Sequence, residues 1–282
     1  MDLTKEKISL YFRNVNKTIK DETESYITAI SEKNACACQL DLYGLTSSLR
    51  FKGILQYICN EERHSIFELC YNSAEAFHRC NLMIDYGMPH DENMYGASNS
   101  RPLFDALFSI GAEGTMPMVE LMATERRPQV DHPLDYKFIL FLMFYIHKEV
   151  EVCEEILEEI DDLREEDIDV DIEKSICLAL HRGDKNKFQT AMNDFLTRRM
   201  IQITEKDGIK LGDEYVSIEA LALRRLALDR GMEVTLHHQL TPLDLQKDYP
   251  GRDTFTRLPL PAFDEAMCEK SFWDDWNEVE SW

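Results

Sequence analysis

The side chains best suited to chemistry in this 282-residue chain are Cys59, His64, Cys70, His78 and Cys80, crowded into one short span. Thiolate and imidazole are the ligands that zinc selects, and a structural zinc site usually draws them in as CxxC-type pairs on turns. No pair here has that spacing. The apolar rhythm places these residues within helices, where Cys70 falls on a buried face, so the expectation is core cysteines and surface histidines. Cys36-Ala37-Cys38 is a weaker candidate, because residues two apart on a helix diverge. His237-His238 is the pair best placed for acid–base work, and without a nucleophile nearby it reads as a solvated turn.

The patterns GxGxxG, GxxxxGK[ST] and GxSxG are all absent. A glycine-poor helical chain also offers few loops that cradle phosphate. The expectation is a protein that is not an enzyme and takes no metal or cofactor. A metal-dependent enzyme built on the cysteine–histidine span is the third alternative.

Charge points to a partner instead. Lys and Arg number 31 against 53 Asp and Glu, a formal net charge of −22. Such a field opposes nucleic acid and anionic membranes, favours cationic surfaces and speeds encounter with them; the plainer reading is solubility. The acids concentrate between Glu149 and Glu173, where Arg164 is the sole base. Glu154, Glu155, Glu158, Glu159, Asp161 and Asp162 are the contact candidates there, against the plainer reading of a solvated face. At the C-terminus, Phe272-Trp273-Asp274-Asp275-Trp276 leads to Val279 and Trp282 and gathers all three tryptophans. Trp273, Asp274, Asp275 and Trp276 join the candidates, since aromatic anchors beside carboxylates suit a cationic partner. The alternative is that this tail docks its rings into a groove of the body.

The elements that must position these residues are helical, for 11 glycines and 9 prolines gather between periodic segments. Ile8, Tyr11, Phe12, Val15 and Ile19 share one face, and Asp21 is expected to cap a second helix burying Tyr26, Ile27 and Ile30. Two long helices follow from Ala35 to Tyr86 with a break near Asn60. Gly87 to Pro102 reads as a surface loop. A short helix from Pro102 to Ile110 precedes breaks at Gly111 to Pro117 and at Arg126 to Pro133. Phe138 to Ile146 is apolar on every face and predicts a helix enclosed by others.

Val150, Cys153, Leu157 and Ile160 form a stripe, as do Ile172, Ile176, Ala179 and Leu180. Gly183 then supplies a left-handed turn and Asp184 a cap for a helix carrying Phe188, Ala191, Met192, Phe195 and Leu196. Ser217 repeats the device, with Glu219 in the positive first turn, for a helix with Ile218, Leu221, Leu223, Leu226 and Leu228 that stops at Gly231. Met232 to Leu245 and Tyr249 to Ala262 are expected to run extended over the helical body. No register returns at a solenoid period.

The fold expectation is therefore all-α, an irregular array of stacked antiparallel helical hairpins. It forms one domain, with any sub-division near 126–133 and an extended segment and acidic aromatic tail over 249–282. Met1 is followed by Asp2-Leu3-Thr4-Lys5-Glu6-Lys7 rather than by a basic stretch leading to an apolar run. The apolar run from Phe138 to Ile146 is far short of the ~20 residues of a membrane span. A cytoplasmic protein with reduced cysteines is expected.

From Ala179 to Leu245 the motifs Leu180-His181-Arg182-Gly183-Asp184, Phe188, Leu196, Val216 to Leu223, Arg230-Gly231-Met232 and Thr241-Pro242 fall in sequence. This order resembles the immunity protein 49 family, all-helical immunity proteins of bacterial polymorphic-toxin systems. That family carries a Gly-Asp helix start with a following Phe, an Ala/Leu-rich helix ending before a Gly, and a short segment closing on a Pro. The resemblance implies a protein that neutralises a cognate toxin by tight binding. It assigns Gly183, Asp184, Gly231 and Pro242 to turns and caps, and it names no binding site. Charge adds that the toxin's surface is basic and that, if it is a nuclease, the acidic face replaces phosphates. The alternative is a helical scaffold or regulator of the tetratricopeptide-like kind that binds peptides or partner proteins in a groove.

Overall fold

A single 27-residue helix, α1 (Lys5–Ser31), opens the chain in a computed structural model that describes residues 5–59, 63–85, 101–122, 124–166, 168–206, 212–261, 267, 272 and 273. The break expected at Asp21 is not there. Asp21 is exposed and faces Lys17 one turn back at 3.8 Å, and no glycine or proline interrupts the helix around it. The turn comes at Lys33, whose positive φ of 55° lets Asn34 N–H bond Ala29 O and Lys33 N–H bond Ile30 O, a Schellman ending. Asn34 then caps α2 (Ala35–Ile58) by accepting from Ala37 N at 2.7 Å. The third long helix is α3 (His64–Asp85).

Contacts divide the chain into two compact units, Met1–Tyr95 with Arg252–Trp282 and Gly96–Gly251. The division suggested near 126–133 lies inside the second unit. In the first, α1, α2 and α3 pack side by side around Tyr26, Leu42, Leu45, Leu49, Phe77 and Met83, joined by Met267 and Trp273. After the short 3-10 turn Arg252–Thr254, residues 255–261 run extended along α3.

The second unit begins with α4 (Arg101–Val119), which takes in Pro102 and continues past Gly111 as a kinked helix. There follow α5 (Pro133–His147), α6 (Val150–Asp162), α7 (Asp171–Arg182), α8 (Lys185–Glu205) and α9 (Ile218–Asp229). The helix α5 buries Phe138, Ile139, Leu140, Phe141, Leu142 and Met143 against α4, α6 and α7. This enclosure is what its all-round apolarity requires. Antiparallel pairs α5/α6 and α7/α8 stack as hairpins, and α4 packs on α9. Gly183 (φ 63°) and the Asp184 cap close the α7–α8 turn, and Ser217 caps α9 through Ala220 N at 3.3 Å. Val150 departs from its stripe. It is exposed, and Ile156 fills the buried row with Cys153, Leu157 and Ile160.

From Met232 to Leu236 the buried and exposed side chains alternate, yet among the described residues the only ladder contact is an isolated bridge, His238 to Thr241. The structure is all-helical, its helices packed on one another. Among the described residues no helix is long and apolar enough to cross a membrane. The expected loop over 87–100 and the break at Asn60 lie outside the described residues.

Candidate functional site

The acidic candidates gather on α6 because its apolar residues occupy the opposite face. Cys153, Ile156, Leu157 and Ile160 are buried, and this leaves Glu151, Glu154, Glu155, Glu158, Glu159, Asp161 and Asp162 exposed. The face then sorts into two sets of acids. Those at its edges, Glu154 and Asp161 on one side and Glu159 on the other, meet basic side chains of neighbouring elements. His181 of α7 lies 3.3 Å from Glu154, and Lys137 of α5 bonds Glu159. Lys174 of α7 and Arg164 both bond Asp161. The Asp161 carboxyl is held below the usual carboxylate range, first by the hydrogen bond from Lys174, against the opposing effect of desolvation, and then by the Lys174 charge and the hydrogen bond and charge of Arg164.

The second set is Glu151, Glu155, Glu158 and Asp162, spaced four, three and four residues apart and therefore on one stripe of the helix. None of the four has an ion-pair partner among the described residues. Further along, Arg198 of α8 makes a two-pronged bridge to Glu173, which is buried. The charge within 149–173 is less uncompensated than its own bases imply, because Lys137, Lys174 and Arg198 arrive from outside that span, as does the His181 imidazole beside Glu154. Lys174, one residue beyond it, was visible locally. The other three required the fold.

The C-terminal candidates separate differently. Trp273 is 4% exposed, its indole N–H donates to Met267 O at 2.9 Å, and Phe272 packs edge-on to it at 4.9 Å. Trp273 therefore belongs to the core of the first unit rather than to a contact surface. An indole that buries its rings and satisfies its single donor internally has nothing left to offer a partner. Asp274, Asp275 and Trp276 lie outside the described residues.

The cysteines and histidines spread apart. Cys70 and Cys80 are buried, His64 sits 3.7 Å from Glu68 and 5.4 Å from the Phe255 ring, and burial pushes His78 below the usual imidazole range. Among the described residues no three His, Cys, Asp or Glu side chains converge as metal ligands do. Cys153 has its thiol pushed up to about 11 by burial, with the Glu149 charge adding to the shift, so it is protonated at neutral pH. His238 accepts from Leu240 N at 3.2 Å within its turn, and His237 is exposed.

A site that sequence reading missed lies on α3. The carboxamide of Asn72, 4% exposed, bonds the main chain of the 252–261 segment. Nothing in the local pattern marks Asn72, whose partners are 184 and 186 residues away.

No protein-family model matches the chain, and neither the curated proteins nor the solved structures contain a significant match.

Proposed function

We propose that this chain is an immunity protein: it binds a cognate toxin and neutralises it by covering a basic surface of the toxin with the exposed face of α6. The observation that carries the reading is the unpaired stripe Glu151, Glu155, Glu158 and Asp162. Like charges at these spacings each cost a helix about 0.2–0.5 kcal/mol. Asp162 also stands at the helix C-terminus, where the dipole disfavours anions. A cationic partner relieves both costs on binding and is steered in by the same field. The resemblance of residues 179–245 to the immunity protein 49 family supports the same reading.

Co-expression with the toxin encoded by the neighbouring gene tests it. The wild-type chain should restore growth, and the variant E151Q/E155Q/E158Q/D162N should protect less and associate more slowly at low salt. Absence of rescue by the wild type overturns the function. Undiminished rescue by the fourfold variant overturns the placement on α6.

A further inference from the structure

Along α3 the segment 254–261 is held chiefly through its main chain. Asn72 Nδ2 donates to Thr256 O at 2.9 Å, Asn72 Oδ1 accepts from Leu258 N at 2.9 Å, and Glu68 Oε2 accepts from Thr256 N at 2.7 Å. Arg79 donates to Pro261 O. Side-chain identity is read at few points. Phe255 is buried, its ring 5.4 Å from those of His64 and Tyr71, while Leu258 and Leu260 are half-buried against the core of the first unit. Thr254, Thr256, Arg257 and Pro259 point to solvent.

This is how a groove recognises an extended peptide: main-chain hydrogen bonds supply affinity, and pockets at chosen positions supply specificity. The energetics favour exchange over vacancy. Asn72 is buried and its second amide hydrogen already serves Glu68 O at 3.0 Å. Removing the segment strips Asn72 of both bonds and bares the apolar surface that Leu258 and Leu260 cover. Any other extended segment offers the same N–H and C=O groups and restores both.

We propose that the α3 groove is a clamp for extended peptide segments, with residues 254–261 as a built-in occupant that a partner protein's segment replaces. The partner segment carries an aromatic residue at the Phe255 position, aliphatic residues three and five positions later, and free main-chain N–H groups one and three positions later. This proposal does not rest on the reading of α6 and fails or stands separately from it.

The test uses the full-length chain and a fluorescein-labelled peptide of the sequence Arg252 to Pro261. The tethered segment competes at an effective concentration of roughly millimolar, so the wild type should bind the free peptide weakly. The F255A chain should bind it about tenfold more tightly or better. Adding N72L to F255A, or replacing the peptide's own phenylalanine by alanine, should abolish binding. A folded F255A chain with no saturable binding overturns the proposal. Should F255A not fold, amide hydrogen exchange of the wild type decides: with peptide at about 1 mM, the Thr256 and Leu258 amides exchange faster if the segment is displaced, and unchanged rates overturn the clamp.

Discussion

Asp229, the last residue of α9, accepts a hydrogen bond from the backbone N–H of Ala112 at 2.7 Å, across 117 residues of sequence. At Gly111 α4 takes φ 72° and ψ −177°, a region that is essentially open to glycine alone. The kink exposes backbone groups on both sides, and α9 satisfies both. Asp229 supplies the N-cap of the second half, while Arg225 donates to Phe108 O at 2.7 Å at the end of the first. A side chain remote in sequence thus does the work usually done by the residue just before a helix.

Gly111→Ala should therefore destabilise by about 1–3 kcal/mol. Its Cβ would stand 2.7 Å from Asp229 Oδ2 and 3.1 Å from Arg225 Nε, besides forcing an unfavourable backbone. Asp229→Ala should cost about 1 kcal/mol and Asp229→Asn less, because asparagine caps nearly as well. Urea unfolding followed by circular dichroism measures all three. An alanine at 111 with an unshifted midpoint contradicts the assignment.

The unpaired stripe on α6 makes a second prediction about the free protein. Neutralising Glu151, Glu155, Glu158 and Asp162 together removes the three like-charge neighbour pairs within the stripe, worth about 1 kcal/mol in sum, besides those it makes with Glu154, Glu159 and Asp161. The fourfold variant should melt higher than wild type at low salt, and the gap should narrow as salt screens the repulsion. A lower melting point would mean that these acids have stabilising partners, and the case for a face held ready for cations would go with it.

What the sequence made legible follows from how local each signal is. Among the described residues four helices end in the same Schellman device, with a left-handed residue whose N–H bonds the carbonyl three back and whose successor bonds five back. Two of them use Gly183 and Gly231 and were readable, because glycine is the usual residue there. The other two use Lys33 and Lys148, which advertise nothing. The first misplaced the opening turn to Asp21. The concentration of acids on α6 was readable from the sequence, but which of them stay unpaired was not. The counter-charges from Lys137 and Arg198, the His181 contact with Glu154, and the Asn72 contacts with residues 256 and 258 exist only through tertiary packing. Trp273 was ambiguous for the same reason: an aromatic next to carboxylates looks alike whether it docks inward or outward.

The two lysine turns carry their own test. Lys148 sits at φ 66°, where a Cβ costs roughly 1–2 kcal/mol. Lys148→Gly removes that strain but adds freedom to the unfolded chain. The net expectation is a gain of a few tenths to about 1 kcal/mol, with the helix content unchanged. Differential scanning calorimetry reads it, and a clear loss of stability would show that the lysine side chain itself holds the α5–α6 turn.

Glu22 of α1 lodges its carboxyl against Gly44 of α2, in space that a side chain at position 44 would fill. Burial raises this carboxyl from 4.5 to about 7; a hydrogen bond with Ser48 opposes the shift, and the Asp41 and Asp21 charges add to it. Asp41 is also raised, by burial first, against a hydrogen bond with Ser25. In the unfolded chain Glu22 loses its proton near 4.5, whereas in the folded chain it keeps the proton until about 7. Between those values the folded state binds more protons, so its stability falls as pH rises, and the contribution is gone above about 7. Because the group is only half-buried, the loss from pH 5 to 7.5 should be on the order of 1–2 kcal/mol rather than the full linkage value. Glu22→Gln cannot ionise. Its stability should be flatter over that window and exceed that of wild type at pH 7.5, as read by urea midpoints at pH 5, 6, 7 and 8. Parallel pH profiles for the two proteins would show that Glu22 titrates near its ordinary value, with its carboxylate in water rather than against Gly44.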